Sequence, residues 1–175
     1  MRKAFLVVAA LVLIGGLAFG EGAPKGGEFG IQGAFTLTNV GLGPFFDVGV
    51  KYLITDAIAI RAALGLANVA ASGGSATYYD LGAGFEYHFG GKGGVSPYAG
   101  AELSYSGQSL STGGTTPSEF GLAGVVGGEY FFSNNFSWAG EARLGFDSAT
   151  SAGGVTTTSI GTIFGFSTFL TWYLN

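Results

Sequence analysis

The chain has no cysteine, one histidine and little charge, with seven Lys and Arg and eleven Asp and Glu among 175 residues. The missing cysteine excludes disulfides, thiolate metal sites, and anchoring by a lipid on a processed N-terminal Cys. The low charge excludes an ordinary soluble domain, which covers its surface with Lys, Arg, Asp and Glu. Beyond residue 20 there is no apolar run near the roughly 20 residues that a membrane helix needs, so a helical membrane protein is excluded as well. Disorder does not fit either, because hydrophobic residues make up 47% of the chain and are spread evenly. A chain that is apolar outside and still satisfies its backbone in lipid has one form left, the closed β-barrel.

The one long apolar run is AFLVVAALVLIGGLAF, which follows Arg2 and Lys3 and is broken by Gly. Ala18-Phe19-Gly20 carries small residues where signal peptidase requires them. Residues 1–20 therefore have the pattern of a secretory signal peptide, with cleavage expected between Gly20 and Glu21. Residues 21–175 are one domain's worth of chain. Without Arg2 and Lys3, five basic and eleven acidic residues remain, a net of −6.

From Glu28 onward the sequence alternates with period two between turn-forming stretches. Phe29–Leu37 sets Phe29, Ile31, Phe35 and Leu37 against Gly30, Gln32, Ala34 and Thr36. Phe46–Ile54, Ile58–Leu66 and Thr77–Phe89 alternate likewise, and so do Pro97–Tyr105, Glu119–Phe132 and Phe136–Phe146. Ile160–Leu174 completes eight strands, each near the length that a tilted strand needs to cross a bilayer. The expected fold is all-β, an eight-stranded antiparallel up-and-down transmembrane barrel behind a cleavable signal peptide.

The connections separate the two rims, with Asn39–Pro44 alone spoiling the contrast. Thr55-Asp56-Ala57, Gly90–Val95 and Ser133-Asn134-Asn135 are short, whereas Ala67–Ala76, Ser106–Pro117 and Asp147–Thr156 read as longer Ser/Thr/Gly-rich loops. Short turns on the periplasmic rim and longer loops outside are the outer-membrane arrangement. Aromatics crowd both ends of the apolar face. Phe29, Tyr52, Tyr87, Phe89, Tyr130, Phe132, Phe136, Trp138 and Trp172 lie toward the short turns. Phe35, Phe46, Tyr79, Tyr105, Phe120, Phe146 and Phe164 lie toward the loops. Two aromatic girdles around an aliphatic band are what two lipid–water interfaces select, so this face meets outer-membrane lipid.

SPYAGAELSY and GGEYFFSNNFSWAGEARLGF, in their order and spacing, resemble the eight-stranded outer-membrane β-barrel family of OmpX, Ail and the OmpA transmembrane domain. The likeness runs from about Glu28 to Leu174 and implies residence in the outer membrane. It also implies a last strand that the outer-membrane assembly machinery reads during biogenesis. The family usually ends on an aromatic, and here Leu174 stands in that register.

The opposite face holds the charges. Toward the periplasmic half an interior network of Glu28, Lys51, Arg61, Glu86, Glu102, Glu129, Glu141 and Arg143 is expected, with Arg61 and Arg143 as the leading partners for carboxylates. Toward the loops stands an acidic extracellular mouth of Asp47, Asp80 and Glu119, with no base near them in sequence. The interior thus counts eight acids and three bases, and many inward glycines leave it room, so small cations are the ligands that a hydrated lumen would take. His88, the single histidine, sits by parity at the periplasmic rim and reads as a solvated group. The turn GGKGG lacks the strand–loop–helix setting of a phosphate cradle.

No catalytic, cofactor or metal motif is present, and the long loops carry no Lys or Arg to attract nucleic acid. The expected function is an integral outer-membrane barrel with a structural or surface-interaction role and no catalysis. The alternative is a narrow cation-preferring pore through a hydrated acidic interior, and a soluble secreted barrel with its faces inverted comes third. The sequence names no extracellular partner.

Overall fold

The computed structural model describes residues 25–38, 46–71, 74–90, 94–110, 116–161 and 165–174. Their strands are β1 (Phe29–Thr38), β2 (Phe46–Thr55), β3 (Ile58–Ala71), β4 (Gly74–His88) and β5 (Val95–Leu110), then β6 (Ser118–Ser133), β7 (Phe136–Thr150), β8 (Thr156–Gly161) and β9 (Gly165–Leu174). Each strand from β1 to β7 pairs antiparallel with the next, and β8 and β9 follow one another alongside β7. The ring closes where β1 meets β9, from Phe29 opposite Leu174 to Thr38 opposite Gly165. It therefore has eight positions, and β1 to β7 and β9 each find neighbours on both sides as lipid demands, while β8 pairs with β7 among the described residues.

The alternation sorts side chains as a lipid-immersed barrel requires. Val126 and Leu144, at mid-height on the outer face, are 62% and 60% exposed, while Lys51 and Glu129 inside are 1% and 0% exposed. A soluble barrel would show the reverse. Phe29, Tyr52, Tyr87, Phe89, Phe132, Phe136 and Trp172 stand exposed on the short-turn rim. Tyr130 and Trp138 are partly covered there, Tyr130 edge-on to Phe132 at 4.9 Å and Trp138 donating from Nε1 to Thr168 Oγ1 at 2.9 Å. Tyr105, Phe120 and Phe146 ring the other end. The side chains of Phe35 and Phe46, the whole of Phe164, and the Gly20–Glu21 cleavage site lie outside the described residues.

Strand lengths depart from the sequence reading on the loop side. Ala67–Ala76, Ser106–Pro117 and Asp147–Thr156 read as loops, yet β3 pairs with β4 as far as Ala71 and Gly74, β5 reaches Leu110 and β7 reaches Thr150. Above the girdle the hydropathy alternation stops because lipid stops, but backbone pairing needs no apolar face. Small side chains sustain it there: Asn68 Nδ2 donates to Thr77 Oγ1 at 2.8 Å across the β3–β4 extension. The last strand, read as Ile160–Leu174, is described in two segments alongside β7, namely β8 and β9, with residues 162–164 outside the described residues.

Candidate functional site

The lumen is built in layers. Leu53, Ala59, Phe131 and Tyr173 form a buried apolar cluster at the short-turn end. Two residues further along their strands come Lys51, Arg61 and Glu129, which begin the charged layer. Register alone would be unfavourable here, because it sets Lys51 directly opposite Arg61, a pairing of like charges. Carboxylates from strands around the barrel resolve it. Lys51 Nζ lies 2.6 Å from Glu86 and 2.7 Å from Glu129. Arg61 contacts Glu86 at 3.0 Å, Glu141 at 2.8 Å and Glu102 at 2.5 Å. Arg143 reaches Glu102 and Glu141, both at 2.9 Å.

The pairs Lys51–Glu129 and Arg61–Glu141 join β2 to β6 and β3 to β7, so they cross the lumen rather than follow one sheet edge. Hydroxyls complete the carboxylates. Ser137 and Tyr173 donate to Glu129 Oε1 at 2.6 and 2.8 Å, and Tyr98 donates to Glu141 at 3.2 Å. Such completion is what makes buried ion pairs tolerable. Arg61 also lies over the Phe169 ring at 4.7 Å.

Inward glycines serve this layer as sockets. A Cβ at Gly84 would come within 2.8 Å of Arg61 Nε, and one at Gly127 within 2.5 Å of the Tyr98 ring. At these two positions the room that glycine leaves is occupied by neighbouring side chains.

Of the expected network, Lys51, Arg61, Arg143, Glu86, Glu102, Glu129 and Glu141 are brought together, while Glu28 stands apart. Glu28 precedes β1, and its Oε2 is buried without a hydrogen-bond partner among the described residues. Within the network four carboxylates meet three cations, so the acid excess of the lumen is concentrated at the mouth. His88 also departs from expectation. It is 4% exposed, with Nε2 at 3.0 Å from Glu86 and Nδ1 at 2.8 Å from Ser96 Oγ. It lies inside because β4 carries the inward parity down to its last residue, and Tyr98 covers the ring at 5.2 Å.

The donor atoms of Glu86, His88 and Glu129 lie within 4.8 Å of one another, a spacing that could hold a metal ion. The Lys51 ammonium already bridges both carboxylates, so the chain supplies its own cation there.

Register places the mouth residues on one level. Asp47 faces Gly65, Gly65 faces Asp80, Asp80 faces Ser106, and Ser106 faces Glu119. Asp147, which the sequence reading left in a loop, joins them on β7 opposite Gly121, and its odd-numbered parity with Glu141 and Arg143 could have placed it. Arg143 lies within electrostatic reach of Asp47 and Asp80, a neighbour that sequence distance concealed.

Comparison with known proteins adds the following. The family model described as "Outer membrane protein beta-barrel domain" matches residues 6–167. No curated protein matches the sequence. Among solved structures, the chain is similar to Neisserial surface protein A at 22% identity, over 83% of this chain and 92% of that one, with a TM-score of 0.44. It is similar to OprG from Pseudomonas aeruginosa at 14% identity, over 86% and 96%, with a TM-score of 0.48. It is also similar to the N-terminal β-barrel domain of Pseudomonas aeruginosa OprF at 17% identity, over 85% and 99%, with a TM-score of 0.43.

Proposed function

The chain belongs to the outer membrane protein β-barrel domain family, and from that premise we propose a non-catalytic barrel with a sealed lumen and a structural or surface-contact role. Its place is the outer membrane, among lipid, after delivery by the assembly machinery. The observation that carries the sealed reading is the buried charge layer. Its cross-lumen pairs Lys51–Glu129 and Arg61–Glu141 bridge the bore, and the Leu53, Ala59, Phe131 and Tyr173 cluster lies beneath them. Eight strands leave an interior that side chains can fill, and here large ones do so.

Absence of catalysis is supported by the commitment of His88. Its ring contacts Glu86 and Ser96, which leaves no free neutral-pH base at an accessible surface. The barrel's work then falls to its loop-side extensions, whose described residues carry Ser, Thr, Asn and Gln and no Lys or Arg. Nucleic acid is not a partner for such a surface.

The second reading, a narrow cation-preferring pore, draws on the acidic row of Asp47, Asp80 and Glu119. Planar-bilayer recording separates the two. The refolded chain, proved folded by its gel mobility before and after boiling, is expected to pass no unitary current. Reproducible cation-selective steps that weaken in Glu129→Gln would replace the sealed reading with the pore.

A further inference from the structure

The strands that close the barrel contribute no charged member to the charge layer. All seven of its ionic members lie on β2 to β7, and the inward faces of β1 and β9 offer Gly30, Gln32 and Ala34 against Ser167, Phe169, Thr171 and Tyr173. Outward, both strands are mainly apolar, and the one polar group among the described side chains, Thr168, bonds to Trp138 on β7 rather than across the seam. Sliding one strand past the other by two residues, about 6.6 Å, keeps every side chain on its own face. Alternation therefore does not choose between the observed register and its two-residue neighbours. Features with a fixed address must choose: Gln32 Nε2 donates to Thr171 Oγ1 at 3.2 Å directly across the seam, and a second address ties β9 to the rest of the barrel.

Tyr173 has that address. It is wholly buried, and its hydroxyl donates to Glu129 Oε1 at 2.8 Å on a carboxylate already held by Lys51 and Ser137. Its backbone N–H donates to the Asn135 carbonyl at 2.8 Å, and its carbonyl accepts from Asn135 Nδ2 at 3.1 Å. On the other side of the seam Gly30 lies directly opposite, and a Cβ there would stand 3.2 Å from the Tyr173 ring and 2.7 Å from Thr171. One residue is thus fixed to the β6–β7 hairpin by three hydrogen bonds, one from its side chain and two from its backbone, and its ring is seated against β1 in a socket that only glycine leaves open.

We propose that Tyr173 is the register key of barrel closure. The β6–β7 hairpin presents Glu129 and Asn135 as a preformed dock. Seating the hydroxyl there sets β9, and Gly30 then admits β1 in one register. A slip of β9 by two residues in either direction removes the hydroxyl from Glu129 and moves the ring off Gly30.

The absence of native cysteine makes disulfide trapping a clean test. The pair Ile31→Cys with Trp172→Cys reports the observed register, because these residues face each other outside the lumen. Ile31→Cys with Leu170→Cys or with Leu174→Cys reports the slipped registers. After refolding and oxidation with copper phenanthroline, the parent is expected to cross-link 31 to 172 alone. In the Tyr173→Phe background the slipped products should rise about tenfold, the factor that one hydrogen bond to a charged group corresponds to. A Tyr173→Phe barrel that melts earlier but still traps only 31 to 172 would make Tyr173 a packing residue and overturn the proposal. If that variant does not fold, Asn135→Ala at the exposed turn carries the test, with slipped products supporting the key and the observed register alone refuting it.

Discussion

Lys51→Met is expected to destabilise the folded barrel by about 3–5 kcal/mol, the range for removing one partner of a buried ion pair. The reason lies in what each carboxylate keeps. Glu86 retains Arg61 and His88 when Lys51 is lost, but Glu129 retains only the hydroxyls of Ser137 and Tyr173 as direct hydrogen-bond donors, with His88 Nε2 farther off at 3.9 Å. A carboxylate at 0% exposure is then left with no cation bonded to it. Arg61→Met should cost less, although Arg61 touches more carboxylates. After its removal Glu86 still has Lys51, and Glu102 and Glu141 still have Arg143. The ordering Lys51 above Arg61 distinguishes a layer in which each acid needs a cation from one in which contact number alone matters. Urea unfolding of the refolded barrel in lipid vesicles, followed by the fluorescence of Trp138 and Trp172, measures both. Adding Glu129→Gln to Lys51→Met should recover much of the loss, because it removes the orphaned charge. If both single variants stay within about 0.5 kcal/mol of the parent, as substitutions at solvated surface positions do, water compensates the layer and the lumen is wetter than the seal requires.

The features legible in the sequence are those written locally. Period-two alternation assigns Val126 and Leu144 to lipid and Lys51 and Glu129 to the interior, because parity is a property of each strand by itself. The girdles are legible for the same reason. Partner choice is not, because Lys51 and Glu129 are 78 positions apart and meet only after the ring closes with a particular stagger. The loop-side extensions were hidden because hydropathy stops reporting where lipid ends, while pairing between β3 and β4 continues to Ala71 and Gly74. The large inward side chains were within reach. Phe131 shares parity with Glu129, and Phe169 and Tyr173 share it with Ser167 and Thr171. Beside them the charges are the louder signal on the inner face, and the socket role of Gly84 and Gly127 shows only once Arg61 and Tyr98 are in place.

The same outer face supports the second large expectation, that Val126→Lys destabilises the barrel by about 2–4 kcal/mol in lipid. Val126 sits mid-way along β6 between Phe120 and Phe132, and register flanks it with Ala99 and Ala142. Among the described residues its cross-strand neighbours offer no polar side chain to receive an ammonium there, and neither interface is close. At the level of the outer girdle and beyond, the cost should vanish. Thr158→Lys, on the exposed β8 segment, is expected within about 1 kcal/mol of the parent. Unfolding in phosphatidylcholine vesicles measures both. The contrast depends on position rather than on exposure to a probe, since a residue as open as Val126 on a water-facing surface would accept lysine within about 0.5 kcal/mol. A flat response along β6 would mean that this face does not lie against hydrocarbon in the folded barrel. A cost that peaks at Val126 and falls toward both aromatic rows would map the apolar band onto the bilayer residue by residue.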